Sequence, residues 1–219
     1  MIPLRDVIPS RTVPFVTVTI IFLNAAAWIF EISMPSERAL NQLLLNYGVV
    51  PAVFRPATFF TSMFLHASWS HIIGNMLYLW IFGDNIEDAL GHGRFLVFYL
   101  LCGVTAALGQ IVMNPHSLLP TIGASGAIAG VMGAYLVLYP RSRVLTFVPF
   151  PFFDIIEVPA IFLLGFWFLM QLVNAGAVAS TASAGGGGVA FAAHVAGFVV
   201  GILGVFVFRK RARPQAWDT

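Results

Sequence analysis

The chain has 219 residues, of which 59% are hydrophobic and only 9% are charged, and its formal net charge is +2. Roughly a quarter of the residues in a soluble globular domain are charged, so this composition excludes a water-soluble fold and indicates a protein embedded in lipid. The length leaves no room for a large soluble domain beside the membrane part. The basic residues lie at the ends of apolar segments, so we expect no nucleic-acid partner.

Six apolar segments are each close to the ~20 residues that a spanning helix needs. We predict a single all-α membrane domain, residues 1–219, with helices at Pro14–Ile32, His71–Leu90, Arg94–Met113, Ser125–Tyr139, Val158–Ala175 and Ala190–Phe208. Between the first two helices, Ser33–Ser70 contains three prolines and is only moderately polar. This composition favours a locally folded loop that is partly embedded in the membrane.

The positions of Lys and Arg predict the orientation of these helices. With the N-terminus inside, nine of the 11 basic residues face the cytoplasm and only Arg38 and Arg55 face outward. Cytoplasmic loops are enriched in Lys and Arg. We therefore predict a multi-pass protein of the cell (inner) membrane with both termini in the cytoplasm.

Two polar residues suggest catalysis: Ser125, in Gly123-Ala124-Ser125-Gly126, and His194, and each lies near the start of an apolar helix. A serine at a helix start is close to free N–H groups and to the positive end of the helix dipole, which stabilise an oxyanion. A neutral imidazole within reach is a suitable general base. Taken alone, each residue has an ordinary explanation, because a membrane-helix serine usually bonds a carbonyl one turn back and a histidine can join two helices.

The predicted topology places Ser125 and His194 at the same depth. Their helices both run from the outer to the inner side, and the two residues lie ~22 Å and ~21 Å above the inner ends at 1.5 Å per residue. The fourth helix is short against a ~30 Å hydrocarbon core, so we expect it to start inside the membrane. Non-helical backbone at that depth is tolerated only inside protein or along a cavity, and a water-filled cavity would supply water for hydrolysis.

A third polar group contains His66, His71 and Asn75. His71 and Asn75 are four residues apart and therefore share a helix face, and Asn75 lies at the predicted depth of Ser125. An amide N–H donor at this position suits an oxyanion hole. A metal site is disfavoured, because His66 and His71 do not share a face and no acidic or sulfur ligand lies nearby.

Acidic residues lie at the inner end of the second helix, where Glu87 and Asp88 are close to Arg94 in the sequence. An intramembrane acid is a functional candidate by default. At a helix end, however, a structural ion pair or a capping role is the stronger expectation.

Small residues recur on the two helices that carry the serine and the histidine. They are Gly126, Gly130 and Ala134 on the fourth helix and Gly197, Gly201 and Gly204 on the sixth. Such faces let two backbones approach closely in lipid, so we predict direct packing of these helices. Generic membrane packing would leave the same pattern without any chemistry.

Taken together, these motifs resemble those of rhomboid intramembrane serine proteases of the compact six-helix bacterial type. The four signatures are His66-xxxx-His71-xxx-Asn75, Gly83-xxx-Glu87-xxx-Gly91, Gly123-Ala124-Ser125-Gly126 and Ala193-His194-xx-Gly197-xxx-Gly201. The resemblance extends from about Pro14 to Phe208. One departure is Ala57-Thr58, which stands where many relatives carry Trp-Arg in the first loop.

The resemblance implies that Ser125 is the nucleophile and His194 the base of a dyad without an acidic third member. It implies an oxyanion hole made by His71, Asn75 and the backbone N–H of Ser125. Supporting roles fall to His66, Gly123, Gly126, Gly197 and Glu87. It also implies that no metal or other cofactor is needed, and that the substrates are single-pass transmembrane proteins, cut within membrane lipid near the outer end of their helix.

Two other functions compete with proteolysis. A transporter or channel would be expected to show repeated halves or paired broken helices, and the sequence has neither. An inactive rhomboid-like protein that binds membrane clients without cutting them would be expected to lack Ser125 or His194, and both are present.

Access to the site suggests a lid and a gate. The segment Ala175–Val189 joins the last two helices on the outer side, has no charged residue and contains a run of glycines that includes Gly186, which favours a deformable lid. Trp167 and Phe168, on the outer half of the fifth helix, are bulky enough to plug a gap toward the second helix. We predict that the fifth helix is a lateral gate, although aromatic residues that simply face lipid would look the same.

Overall fold

Helices make up most of the regular structure. The computed structural model describes residues 1–53, 55–149, 153–180 and 190–210. The helices are α1 (Phe15–Ile32), α2 (Glu37–Tyr47), α3 (Thr58–Thr61), α4 (Trp69–Leu90), α5 (His92–Met113), α6 (Ser125–Leu138), α7 (Ala160–Ser180) and α8 (Phe191–Phe208). Three strands, β1 (Ile2–Asp6), β2 (Arg143–Val148) and β3 (Asp154–Pro159), form one antiparallel sheet in the order β1-β2-β3.

Four of these helices, α1, α5, α7 and α8, are long and apolar enough to cross a membrane. The α4 helix has 22 residues but carries Asp84, Glu87 and Asp88 in its last two turns. The α6 helix has only 14 residues, or about 21 Å. Each of the six predicted helices has its counterpart, and the chain is a multi-pass membrane protein, but length and composition alone identify four spans rather than six.

The segment between α1 and α4 is locally folded, as predicted. Ser36 is the N-cap of α2, and its hydroxyl accepts a hydrogen bond from the Ala39 N–H at 3.2 Å. After α3, a 3₁₀ turn at Ser62–Phe64 leads toward α4. This segment also holds the chain that enters α6, through an isolated antiparallel bridge between Val49 and Thr121.

The small sheet was not predicted from the sequence. Its N-terminal strand β1 pairs with β2, which forms a hairpin with β3 between α6 and α7. The sheet is tied to the helices by Tyr135 of α6, whose hydroxyl donates to Asp6 Oδ2 at 2.6 Å. The N-terminal segment therefore belongs to the folded domain.

The α6 helix lies at the centre of the molecule, and its residues from Gly126 to Tyr135 are all buried. It packs directly on α8, as the small residues predicted. A Cβ atom on Gly201 would lie 2.0 Å from the carbonyl oxygen of Gly130, and one on Gly197 would lie 2.1 Å from that of Gly126. Real Cβ atoms do not approach so closely, so only glycine permits this contact. Gly204 instead faces the ring of Phe98 on α5.

The buried carboxylate of Glu87 caps the first turn of α1. It accepts the backbone N–H groups of Val16 and Thr17, both at 2.8 Å, and the Thr17 hydroxyl at 2.7 Å. The first N–H groups of a helix have no partner within it, and a negative charge there is favourable. Glu87 therefore has the predicted capping role. Its basic neighbour is His92, whose Nδ1 lies 2.5 Å from Oε1, and not Arg94.

Candidate active site

Ser125 and His194 meet at one end of the packed helix pair α6 and α8. Ser125 is the first residue of α6, His194 is the fourth residue of α8, and Ser125 Oγ lies 2.8 Å from His194 Nε2. The close approach of the two backbones at Gly126 and Gly197, just beyond these residues, keeps the side chains within hydrogen-bonding distance. His194 is only 8% exposed.

A second hydrogen bond determines which nitrogen of the His194 imidazole carries the proton. Its Nδ1 lies 2.8 Å from Oε1 of Gln171 on α7. A carbonyl oxygen can only accept, so Nδ1 carries the proton and Nε2 is free to accept the Ser125 hydroxyl. Sequence reasoning missed Gln171, although a buried amide in an otherwise apolar helix was a visible signal.

His71 and Asn75 lie beside the turn that enters α6. The glycine at position 123 has a φ of 118°, a conformation that favours glycine. A Cβ atom there would lie 2.6 Å from His71 Nε2 and 3.6 Å from Asn75 Nδ2. The missing side chain thus leaves space for both groups next to Ser125. Because His71 Nδ1 accepts the Ala67 N–H at 3.3 Å, the proton of a neutral ring is on Nε2, the nitrogen that faces the turn.

Two buried residues, His66 and Glu31, form a chain of hydrogen bonds that holds the Asn75 side chain. Its Nδ2 donates to His66 Nε2 at 2.9 Å, and His66 is 1% exposed. The backbone N–H of His66 donates to the carboxylate of Glu31, at 3.1 Å from Oε1. Glu31, at the C-terminal end of α1, is also 1% exposed. Sequence reasoning did not single out Glu31, although a carboxylate in an apolar helix is a functional candidate.

The two predicted gate residues pack against α8. Trp167 lies with its ring centroid 5.7 Å from that of His194 and 6.0 Å from that of Phe198. Phe168 stacks on Phe198 at 4.4 Å. Gly186, with most of the predicted lid, lies outside the described residues. The gate and the lid stay predictions.

The family model of the Rhomboid domain matches residues 53–211. The chain belongs to the rhomboid family. The match covers α3 to α8, and hence every site residue described above except Glu31.

Several relatives of this rhomboid chain are named as proteases. It is 40% identical to rhomboid protease GluP of Bacillus subtilis over 83 residues, which are 38% of this chain and 16% of that protein. It is 32% identical to the putative rhomboid protease YdcA of the same organism over 130 residues, 58% of this chain and 64% of the relative. It is 31% identical to rhomboid-like protein 11, chloroplastic, of Arabidopsis thaliana over 183 residues, 79% and 58% respectively.

The chain spans less than two thirds of the length of each of these relatives. Family membership supports intramembrane proteolysis at the level of the family. The activity of this rhomboid, its substrates and its residue roles are matters for proposal.

Proposed function

We propose that this rhomboid is an intramembrane serine endopeptidase that cleaves transmembrane segments near their outer end with a Ser125–His194 dyad. The observation that carries the proposal is the 2.8 Å hydrogen bond from Ser125 Oγ to His194 Nε2, at the start of a buried helix. A hydroxyl paired with a neutral imidazole is the arrangement that activates a serine.

In the proposed reaction, Ser125 Oγ attacks the scissile carbonyl carbon while His194 Nε2 takes the hydroxyl proton. The tetrahedral intermediate collapses when His194 returns this proton to the leaving nitrogen, which leaves an acyl ester on Ser125. A water molecule, deprotonated by the same imidazole, then hydrolyses the ester. Since one imidazole acts as base and then as acid in both halves of the reaction, its Nε2 has to stay aimed at Oγ.

Three donors surround the position where the oxyanion would form. The backbone N–H of Ser125 begins α6 and is one of the helix's free N–H groups. His71 Nε2–H faces the Gly123 turn, and the second N–H of the Asn75 amide is available beyond its bond to His66. Preorganised donors of this kind commonly contribute the largest part of such a rate enhancement.

The proposed membrane arrangement has six spanning helices, with α4 and the short α6 added to the four apolar ones. Both termini lie in the cytoplasm, and the dyad faces the outer half of the cell membrane. Because α6 is about 21 Å long against a hydrocarbon core of ~30 Å, Ser125 lies below the outer surface. The substrates are single-pass transmembrane proteins whose helix enters from the surrounding lipid.

The test combines a serine-directed fluorophosphonate with a model transmembrane substrate in proteoliposomes. Wild type should be labelled and should cleave, whereas Ser125→Ala should do neither and keep its thermal stability. Ser142→Ala is the matched control, because its hydroxyl bonds Tyr135 on the opposite end of α6. Cleavage by Ser125→Ala above about a tenth of wild type would contradict the assignment, since losing a nucleophile typically costs several orders of magnitude. A wild type that retains the substrate but neither labels nor cleaves would indicate the client-binding alternative.

A further inference from the structure

Gln171 is the one α7 residue whose side chain is hydrogen-bonded to the dyad in the part of the chain that the structure describes. It lies in the middle of an apolar helix and is only 9% exposed. Its Oε1 is 2.8 Å from His194 Nδ1, on the side of the ring away from Ser125. The imidazole is therefore held at both nitrogens, by two different helices.

The orientation of the Gln171 amide is set within α7 itself. Its Nε2 donates to the carbonyl oxygen of Trp167, one turn earlier, at 3.4 Å. The reversed amide would place its oxygen against that carbonyl oxygen, and this contact would be repulsive because neither oxygen can donate. The carbonyl oxygen is thus the atom that faces His194.

A neutral imidazole exchanges its proton between two nitrogens, and only one tautomer can accept the serine proton. An acceptor at Nδ1 favours the tautomer with a free Nε2 and also restrains rotation of the ring. In soluble serine proteases an aspartate holds the catalytic histidine in this way. Gln171 presents a neutral carbonyl at the same nitrogen, so it can orient the base without placing a negative charge in the membrane interior, where an unpaired carboxylate would be costly.

The same turn of α7 makes a second contact with the base. Trp167, four residues before Gln171, packs its ring against the imidazole with centroids 5.7 Å apart. Residues four apart share a helix face, so both contacts depend on one position of α7 relative to α8. A displacement of α7 that removed one contact would remove the other.

We propose that Gln171 is a positioning residue that fixes the tautomer and orientation of His194, so that the dyad is active only while α7 is packed against α8. The assignment rests on the proposed function and adds a regulatory consequence to it. A substrate that displaced α7 from α8 on entry would remove Gln171 from His194. The imidazole would then be misoriented until α7 packed against α8 again. Catalysis is thus coupled to the position of this helix.

The experiment compares three substitutions at Gln171 in the full-length protein. Gln171→Met keeps the length of the side chain and removes the strong acceptor, Gln171→Asn withdraws the amide by one methylene, and Gln171→Glu keeps an acceptor at the same distance. The matched control is Asn174→Leu, because Asn174 is another α7 amide that bonds the carbonyl one turn back, from Nδ2 to Met170 O at 2.8 Å. The readouts are the second-order rate of fluorophosphonate labelling, kcat and KM for a transmembrane substrate, and the Tm.

Labelling and kcat should fall about 10- to 100-fold in Gln171→Met and in Gln171→Asn, with KM unchanged, as expected for a weakened general base. Gln171→Glu should recover most of the rate, and Asn174→Leu should stay near wild type. Wild-type labelling by a folded Met or Asn variant would overturn the assignment, and so would equal losses in all three Gln171 variants. An unlabelled wild type would overturn the proposed function and the assignment together, which separates the two failures.

Discussion

The side-chain amide of Asn75 has two N–H bonds, and the proposed mechanism uses both. One donates to His66 Nε2 at 2.9 Å, within a buried group that continues to Glu31 through the His66 backbone. This bond holds the amide plane, so the other N–H is directed beside the Gly123 turn. Asn75 therefore differs from a generic buried asparagine in having its orientation fixed by residues outside its own helix.

Asn75→Ala should slow turnover by about 10²-fold at saturating substrate, because one preorganised donor among several is removed. Single-turnover kinetics with a transmembrane substrate measure this effect. Asn24→Ala is the matched control, since Asn24 is another buried asparagine but donates to the Ile20 carbonyl of its own helix. If Asn75→Ala raised KM and left kcat unchanged, Asn75 would bind substrate and not the oxyanion.

Residues with a local pattern were predictable from the sequence, and isolated ones were not. Ser125, His71 and Asn75 stand in motifs whose spacing places them at a helix start or on one face. Gln171 and Glu31 have no such neighbours, because their partners lie 23 and 35 residues away on other segments. Only the packing of the helices shows that these two polar groups face the site.

Among the elements, the apolar helices were predicted well and the sheet was missed. All six predicted helices begin within two residues of the observed starts, while α7 ends five residues later than expected. A run of apolar residues is a local property of the sequence. The pairing of Ile2 with Phe147 is not a local property, because β1 precedes α1 in the sequence and β2 follows α6.

The contact between the sheet and α6 makes stability depend on pH. Burial raises the pKa of Asp6 from 3.8 to about 6, and the Tyr135 hydroxyl bond only partly opposes this shift. A carboxyl whose folded pKa is raised favours the folded state when protonated. This contribution is complete below pH 3.8 and is lost as the pH rises through about 6.

The Tm of wild type should therefore fall more steeply between pH 4 and about pH 7 than that of Asp6→Asn, whose amide stays neutral. Thermal unfolding in detergent at a series of pH values measures the difference. Glu157→Gln is a suitable control, because Glu157 pairs with Arg143 on the exposed face of the same sheet and exposed pairs contribute little. Parallel pH curves for wild type and Asp6→Asn would show that the pKa of Asp6 is not raised in the folded protein.

Gly201→Ala should weaken the α6–α8 pair and misplace the dyad. The added methyl group would lie 2.0 Å from Gly130 O, so the two backbones have to separate, at about 1–3 kcal/mol for overpacking. We expect a lower Tm together with slower labelling of Ser125. Gly165→Ala on α7 has open space around its Cβ and should be neutral or stabilising by up to about 1 kcal/mol. Equal behaviour of the two variants would contradict tight helix packing as the basis of the site.

At the scale of the whole molecule, the site is assembled from four separate parts of the chain. The loop before α4 and α4 itself supply His66, His71 and Asn75, and α6 and α8 supply the dyad. Gln171 and Trp167 of α7 contact the base from outside the α6–α8 pair. At the other end of the bundle, Glu87 fixes the start of α1 to the end of α4. The sheet lies at that same end, since β2 follows α6 directly, whereas Ser125 begins α6.

The two ends of the bundle should therefore lie on opposite sides of the membrane. We expect Asn41→Cys, exposed on α2, to react with an impermeant thiol reagent added to intact cells, and Asp154→Cys, exposed on β3, to react only after the membrane is opened. A Cys102→Ala background removes the native thiol, which is fully buried. The physical basis is the excess of Lys and Arg on the sheet side, where seven of the nine basic residues that the structure describes are found. Labelling of Asp154→Cys in intact cells, with Asn41→Cys protected, would indicate the opposite membrane orientation, with the dyad toward the cytoplasm.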